Sequence, residues 1–155
     1  MWGRELSSCR VKTRSPEETK RLGELLGKLL PPKAVVILSG DLGCGKTELV
    51  RGMARAFGIP EDEVSSPSFN LVHEYENFVH VDLYRLNSLS AVEDIGLEEI
   101  LEDDRPKAIE WGEAIKELLE GLPLIEVKCK QFGEEREFEI SESTGKICRE
   151  LLQKL

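Results

Sequence analysis

Apolar residues recur every three or four positions in four stretches of the chain, a spacing that predicts four amphipathic helices. The first begins at Ser15-Pro16, with Ser as N-cap and Pro at the first helical position, and ends before Pro31-Pro32. The second follows a glycine-rich segment and ends at Gly58. The last two are centred on Ile115–Leu119 and Ile147–Leu155, and Ser90–Leu101 is only weakly helical.

Short apolar runs predict the strands. Ala34–Leu38 is wholly apolar and rich in β-branched residues, as expected for a central parallel strand that is covered on both faces. The other predicted strands are Phe69–Tyr75, Phe78–Leu83, Lys107–Trp111, Leu124–Cys129 and Glu135–Ile140. The last two form a predicted antiparallel hairpin. No repeat or linker interrupts the pattern, so we expect one mixed α/β domain over residues 1–155.

The amino-acid composition and the net charge limit the kinds of ligand and location that are expected. The 155 residues include 21 Lys and Arg against 30 Asp and Glu, a formal net charge of −9. This charge opposes direct binding of nucleic acid, so a polyanionic ligand must be held locally. No apolar run approaches the ~20 residues that span a bilayer, and no signal peptide is evident. The four cysteines are scattered without a C-x-x-C pair, so we expect four reduced thiols and a cytoplasmic location.

The segment Gly40–Thr47 (GDLGCGKT) fits the P-loop pattern G-x-x-x-x-G-K-[ST] and lies between a predicted buried strand and an amphipathic helix. Glycines allow successive backbone N–H groups to face a phosphate, and the helix N-terminus adds a partial positive charge. Lys46 can reach the β- and γ-phosphates, and the Thr47 hydroxyl can bind Mg²⁺. The sequence therefore predicts a P-loop NTPase-like fold, a mostly parallel sheet flanked by helices with a hairpin near the C-terminus. No N-K-x-D segment for guanine is present, so ATP is the expected nucleotide.

Two acidic residues at the ends of apolar strands are candidates for the metal and for water activation. Asp82 follows Phe78–Val81, and Glu110 follows Ala108-Ile109. Either can hold the ion while the other polarises water, and the sequence does not order these roles. A hydroxyl-rich loop that includes Ser66 and Ser68 lies before Asp82 and can act as a γ-phosphate sensor.

Several motifs in this order resemble the TsaE family, P-loop ATPases of bacterial tRNA threonylcarbamoyladenosine biosynthesis. They are GDLGCGKT (Gly40–Thr47), SPSFNLVHEY (Ser66–Tyr75), HVDLYRL (His80–Leu86), GLEE (Gly96–Glu99) and IEW (Ile109–Trp111). The resemblance is strong from about Glu17 to Trp111 and looser through the hairpin.

The resemblance implies an ATPase that acts on a complex of the TsaD transferase and TsaB and that reaches tRNA only through this complex. It implies Mg²⁺ ligands at Thr47, Asp82 and Glu110. It implies catalytic groups at Lys46, Asp82 and Glu110, with Lys46 on the phosphates. The nucleotide-binding set that it implies is Leu42, Gly43, Cys44, Gly45, Lys46, Thr47, Glu48, Ser68 and Arg136, and Trp111 supports the site or the partner surface.

Two residues depart from the family pattern. Ser68 stands where Thr is usual and keeps the hydroxyl. Glu48 stands where a second Thr is common and brings a carboxylate toward the α-phosphate, which is expected to weaken the affinity for nucleotide. Two alternatives remain from the residues alone. One is a small-molecule kinase, and the other is a nucleotide-sensing module without turnover.

Overall fold

The computed structural model describes residues 7–41, 43–64, 72–83, 96–110, 112–143 and 145–155. Its strands are β1 (Ser7–Thr13), β2 (Val35–Gly40), β3 (Val72–Glu74), β4 (Val79–Asp82), β5 (Lys107–Glu110), β6 (Leu124–Phe132) and β7 (Glu135–Glu142). They form one sheet of seven strands in the order β1-β7-β6-β2-β5-β4-β3.

The centre of this sheet is parallel and its edges are antiparallel. Strand β2 pairs in parallel with both β5 and β6, and β4 pairs in parallel with β5. Strands β6 and β7 form an antiparallel hairpin, β1 adds to β7, and β3 pairs with β4. The predicted α/β fold, with a mostly parallel sheet and a hairpin near the C-terminus, is therefore confirmed.

The described helices are α1 (Pro16–Leu29), α2 (Lys46–Ala56), α3 (Leu97–Glu102) and α4 (Lys146–Lys154), with 3₁₀ turns at Glu61–Glu63 and Gly112–Leu119. Ser15 caps α1 as predicted, because its side chain accepts a hydrogen bond from the Glu18 amide at 3.1 Å. The predicted helix over Ile115–Leu119 is a 3₁₀ helix instead. No helix in these ranges has the length and apolarity that crossing a bilayer requires.

Alternating residues of β2 supply two apolar cores, one on each face of the sheet. Val36 and Leu38 belong to the core that includes residues of α1 and α2, whereas Val35 and Ile37 belong to the core that includes α3. Helices α1 and α2 pack closely because glycines lie at their contact: a Cβ on Gly52 would lie 2.0 Å from the backbone oxygen of Lys20. The glycine-rich loop thus connects a strand that is buried from Val35 to Leu38 to a closely packed helix.

Strand β1 was not predicted, because only every second residue of its sequence SSCRVKT faces the core. The cysteine prediction is wrong: Cys9 is bonded to Cys148, and Cys44 is bonded to Cys129. Sequence spacing gives no sign of these pairs, which are 139 and 85 residues apart. Packing of the last helix beside β1 forms the first pair, and packing of the glycine-rich loop on β6 forms the second. The cytoplasmic location rested partly on unpaired thiols and stays a prediction.

Candidate nucleotide-binding site

The glycine-rich loop leaves the carboxyl end of β2 at Gly40 and enters α2 at Lys46. Gly43 and Gly45 have φ values of 81° and 117°, a left-handed region that side chains with a Cβ adopt at a cost. The Lys46 side chain folds back over the loop and donates from Nζ to the backbone oxygen of Gly40 at 2.6 Å. This side chain is 5% exposed, so its charge is held within the loop.

Asp82 and Glu110 lie side by side at the carboxyl ends of β4 and β5, where they are register partners. Glu110 is also opposite Leu38, two residues before the glycine-rich loop. Register partners on parallel strands point to the same face, and Leu38 faces the core that contains α2 residues. Both carboxylates therefore point to the side of the sheet on which the loop and α2 lie, and both are buried, with exposures of 2% and 3%.

A buried histidine holds Glu110. His80 Nε2 lies 2.7 Å from Glu110 Oε2, and the two side chains are 2% and 4% exposed. When the carboxylate is ionised it only accepts a hydrogen bond, and Nε2 is then the donor. His80 lies two residues before Asp82 on the same face of β4, and its ring stacks at 6.0 Å on His73 of β3. His80 had no predicted role, although its position two residues before a candidate metal ligand in the sequence was the available signal.

The β6–β7 hairpin lies beside the loop. Phe138 of β7 would lie 3.4 Å from a Cβ on Gly45, and the aliphatic stem of Arg136 would lie 3.8 Å from it. The Arg136 guanidinium donates to the backbone oxygens of Gly133 and Glu135, at 3.2 and 3.3 Å. Arg136 is thus near the loop, with its guanidinium at the hairpin turn, and its contact with the nucleotide stays a prediction.

Glu48, in the first turn of α2, is balanced by two cations. Its carboxylate lies 2.5 Å from Arg51 NH1 and 3.7 Å from Lys20 Nζ of α1. Thr47, the residue before it, is half-buried at the start of the helix. The carboxylate of Glu48, which is expected near the α-phosphate, therefore lies between two positive groups.

The remaining candidates, Leu42, Ser66, Ser68 and Trp111, lie outside the described residues. Within the described ranges, no three His, Cys, Asp or Glu side chains form a metal-binding group. Among the described residues, the carboxylates of Asp82 and Glu110 and the Thr47 hydroxyl are the groups that could contact a cation here, together with oxygens of its ligand. Mg²⁺ is commonly held in this way in nucleotide sites.

A parallel sheet whose central strand runs into a glycine-rich loop and then a packed helix defines a P-loop NTPase-like α/β protein. The family model "Threonylcarbamoyl adenosine biosynthesis protein TsaE" matches residues 13–138. The chain belongs to the TsaE family, which takes part in tRNA threonylcarbamoyladenosine biosynthesis.

Individual relatives agree with this assignment. TsaE of Bacillus subtilis is 35% identical over 153 residues, which cover 94% of this chain and 95% of that protein. TsaE of Rickettsia felis is 43% identical over 124 residues, covering 77% of this chain and 71% of that protein. The crystal structure of Bacillus subtilis YdiB is similar with a TM-score of 0.74 and 28% identity, over 96% of this chain and 97% of that one. The family resemblance found in the sequence is confirmed.

Proposed function

We propose that this chain binds Mg-ATP at the glycine-rich loop and hydrolyses it. The observation that carries the proposal is the convergence of three elements at one edge of the sheet. These are the loop with its buried Lys46, Asp82 at the end of β4, and Glu110 at the end of β5. A loop of backbone amides with a lysine favours phosphates, and buried carboxylates favour a divalent cation beside them.

Each residue has a distinct part in this proposal. Lys46 moves from the Gly40 oxygen to the β- and γ-phosphates, since both are hydrogen-bond acceptors within reach of one flexible side chain. Thr47 and Glu110 are the proposed Mg²⁺ ligands, and Asp82 supports the ion or orients the attacking water. Bound Mg²⁺ neutralises negative charge on the phosphates. His80 fixes one oxygen of Glu110, so that the other stays oriented.

Turnover by the isolated chain is expected to be slow. In P-loop hydrolases an arginine commonly stabilises the charge that develops on the γ-phosphate. Among the described residues, Arg51 is paired with Glu48, Arg55 with Glu17 and Glu61, and Arg105 with Asp103. The Arg136 guanidinium donates to backbone oxygens of the hairpin turn. A partner that supplies a cation, or that rearranges the loop, would therefore accelerate hydrolysis.

The proposed partner is the complex of TsaD and TsaB, which connects the ATP cycle to tRNA modification. The net charge of −9 favours an indirect link to tRNA, because an acidic surface repels phosphates. The same charge favours docking on a basic surface, so docking is expected to weaken as ionic strength rises.

ATP hydrolysis measured in three steps tests this proposal: the chain alone, then with purified TsaD–TsaB, then with tRNA added. We expect slow hydrolysis that the complex accelerates, and Lys46→Ala should abolish it. Binding of ATP without turnover in any mixture would favour a nucleotide-sensing module. Phosphate transfer to an added metabolite rather than to water would favour a kinase.

A further inference from the structure

The glycine-rich loop is cross-linked to strand β6. Cys44 in the loop and Cys129 in β6 form a disulfide, with their Cα atoms 6.0 Å apart. Both side chains are inaccessible, with exposures of 0% and 3%. Thiol–disulfide exchange needs a thiolate to reach one of the two sulfurs. The loop must therefore open before this disulfide can be reduced.

Cys129 also contacts the beginning of the loop. It is the register partner of Gly40 on the neighbouring strand, and a Cβ on Gly40 would lie 2.3 Å from the Cys129 backbone oxygen. The Gly40 oxygen in turn accepts the hydrogen bond from Lys46 Nζ. One residue of β6 thus contacts the first residue of the loop and is bonded to Cys44.

The second disulfide provides an internal comparison. Cys9 of β1 and Cys148 of α4 are bonded with Cα atoms 5.8 Å apart, and they are also buried, at 8% and 5% exposure. This pair joins the edge strand to the last helix and includes no residue of the glycine-rich loop. Both pairs are buried cross-links, and they differ in whether they hold the proposed nucleotide site.

We propose that Cys44–Cys129 is a redox-active cross-link that organises the loop for nucleotide binding, so that the disulfide form binds Mg-ATP more tightly than the dithiol form. The inference rests on the proposed nucleotide site. A loop that is already restrained loses less conformational entropy when it closes on a ligand. With its restraint at Cys44 removed, the loop has to be ordered by the ligand itself.

The redox step is a two-electron exchange with a dithiol. A thiolate of the dithiol attacks one sulfur of the pair, which breaks the S–S bond, forms a mixed disulfide and releases the other cysteine as a thiolate. The second thiol of the reagent then closes its own disulfide and releases the first cysteine. The protein gains two electrons, each released thiolate takes up a proton, and the dithiol is oxidised. An oxidised dithiol reverses the sequence.

Linkage gives the proposal a second, independent readout. If the disulfide form binds nucleotide tenfold more tightly, then nucleotide must stabilise the disulfide by the same factor. For a two-electron couple, a factor of ten is about 30 mV. Bound nucleotide should therefore make the midpoint potential of Cys44–Cys129 about 30 mV more negative and leave that of Cys9–Cys148 unchanged.

The test equilibrates the full chain in mixtures of reduced and oxidised dithiothreitol, with and without Mg²⁺ and a non-hydrolysable ATP analogue. Alkylation followed by mass spectrometry measures the reduced fraction of each pair, and calorimetry measures analogue affinity at the two redox extremes. We expect roughly tenfold tighter binding by the oxidised protein and the shift of about 30 mV at the first pair only.

Two variants complete the test. Cys129→Ser removes the cross-link without changing the loop sequence, and it should make affinity insensitive to reductant. Cys148→Ser removes the other cross-link and should keep the sensitivity, while Cys129→Ala repeats the test without a buried hydroxyl. The inference would be overturned, and the proposed function kept, by any of three results. These are equal affinity in both redox states, tighter binding by the dithiol form, and free thiols at Cys44 and Cys129 under oxidising conditions. Absence of binding in both states would overturn the proposed function as well.

Discussion

The buried pair of His80 and Glu110 gives a quantitative prediction about the candidate site. The 2.7 Å hydrogen bond joins β4 to β5 beside the glycine-rich loop, and both side chains are almost fully buried. We consider His80→Leu and Glu110→Met, singly and together, because these residues approximately keep the side-chain volume while removing the polar groups. Together with wild type, they form a double-mutant cycle.

The burial of both groups sets the expected magnitudes. His80→Leu leaves the Glu110 carboxylate without the donor in its 4%-exposed position, and removal of one member of a buried pair costs about 3–5 kcal/mol. Glu110→Met leaves the imidazole N–H without its acceptor, which costs about 1–3 kcal/mol. The double variant leaves neither group unsatisfied. The double variant should therefore lose about 2 kcal/mol less unfolding free energy than the sum of the losses of the two single variants.

Urea unfolding followed by circular dichroism, without nucleotide or Mg²⁺, measures the four free energies of unfolding. The exposed pair of Arg10 and Glu139 provides the control, since its side chains are 69% and 31% exposed at a separation of 3.2 Å. Its cycle, with Met at each position, should give a coupling of about 0.5 kcal/mol or less. A coupling at His80 and Glu110 as small as that of the control would refute the reasoning from burial.

Two further predictions concern the scaffold. Gly52→Ala should lower the unfolding free energy by about 2 kcal/mol, because the new Cβ would lie 2.0 Å from the Lys20 backbone oxygen and push α1 away from α2. An unchanged melting temperature would contradict this prediction. The hydrogen bond from Arg105 lowers the pKa of Asp103 from 3.8 to about 2. The ionised Asp103 therefore stabilises the folded state fully above pH 4, and this stabilisation is lost as the carboxylate is protonated toward pH 2. Asp103→Asn should therefore cost about 1 kcal/mol at pH 7, after allowance for exposure, and nothing near pH 2; a pH-independent difference in urea unfolding would contradict this.

The sequence predicted the parts of the fold that local patterns determine. The strand Ala34–Leu38 is continuous in apolar character because both of its faces are buried, and the helix over Pro16–Leu29 has a recognisable cap. Strand β1 escaped prediction because an edge strand with one polar face has no continuous apolar signal. The 3₁₀ geometry of Gly112–Leu119 differs from an α-helix too little in side-chain period to be read from a sequence.

The parts of the candidate site that lie in one segment could be predicted from the sequence. The contacts between distant segments could not. The motif Gly40–Thr47 lies in a single stretch, and Asp82 and Glu110 each end an apolar strand. The contact between His80 and Glu110 requires the register of two strands that are separated by a long connection. The bond between Cys44 and Cys129 requires the loop to fold back on β6, and 85 residues of sequence separation give no sign of it.

The central claim is that the glycine-rich loop binds Mg-ATP through Lys46. Calorimetric titration of Mg-ATP into wild type, Lys46→Ala and Lys130→Ala tests it most directly, with thermal unfolding as the check on folding. Lys130 is the matched control, because it is an exposed lysine of β6 near the same edge of the sheet. We predict that wild type and Lys130→Ala bind alike and that Lys46→Ala binds at least roughly tenfold more weakly. A folded Lys46→Ala variant that binds as tightly as wild type would contradict the account.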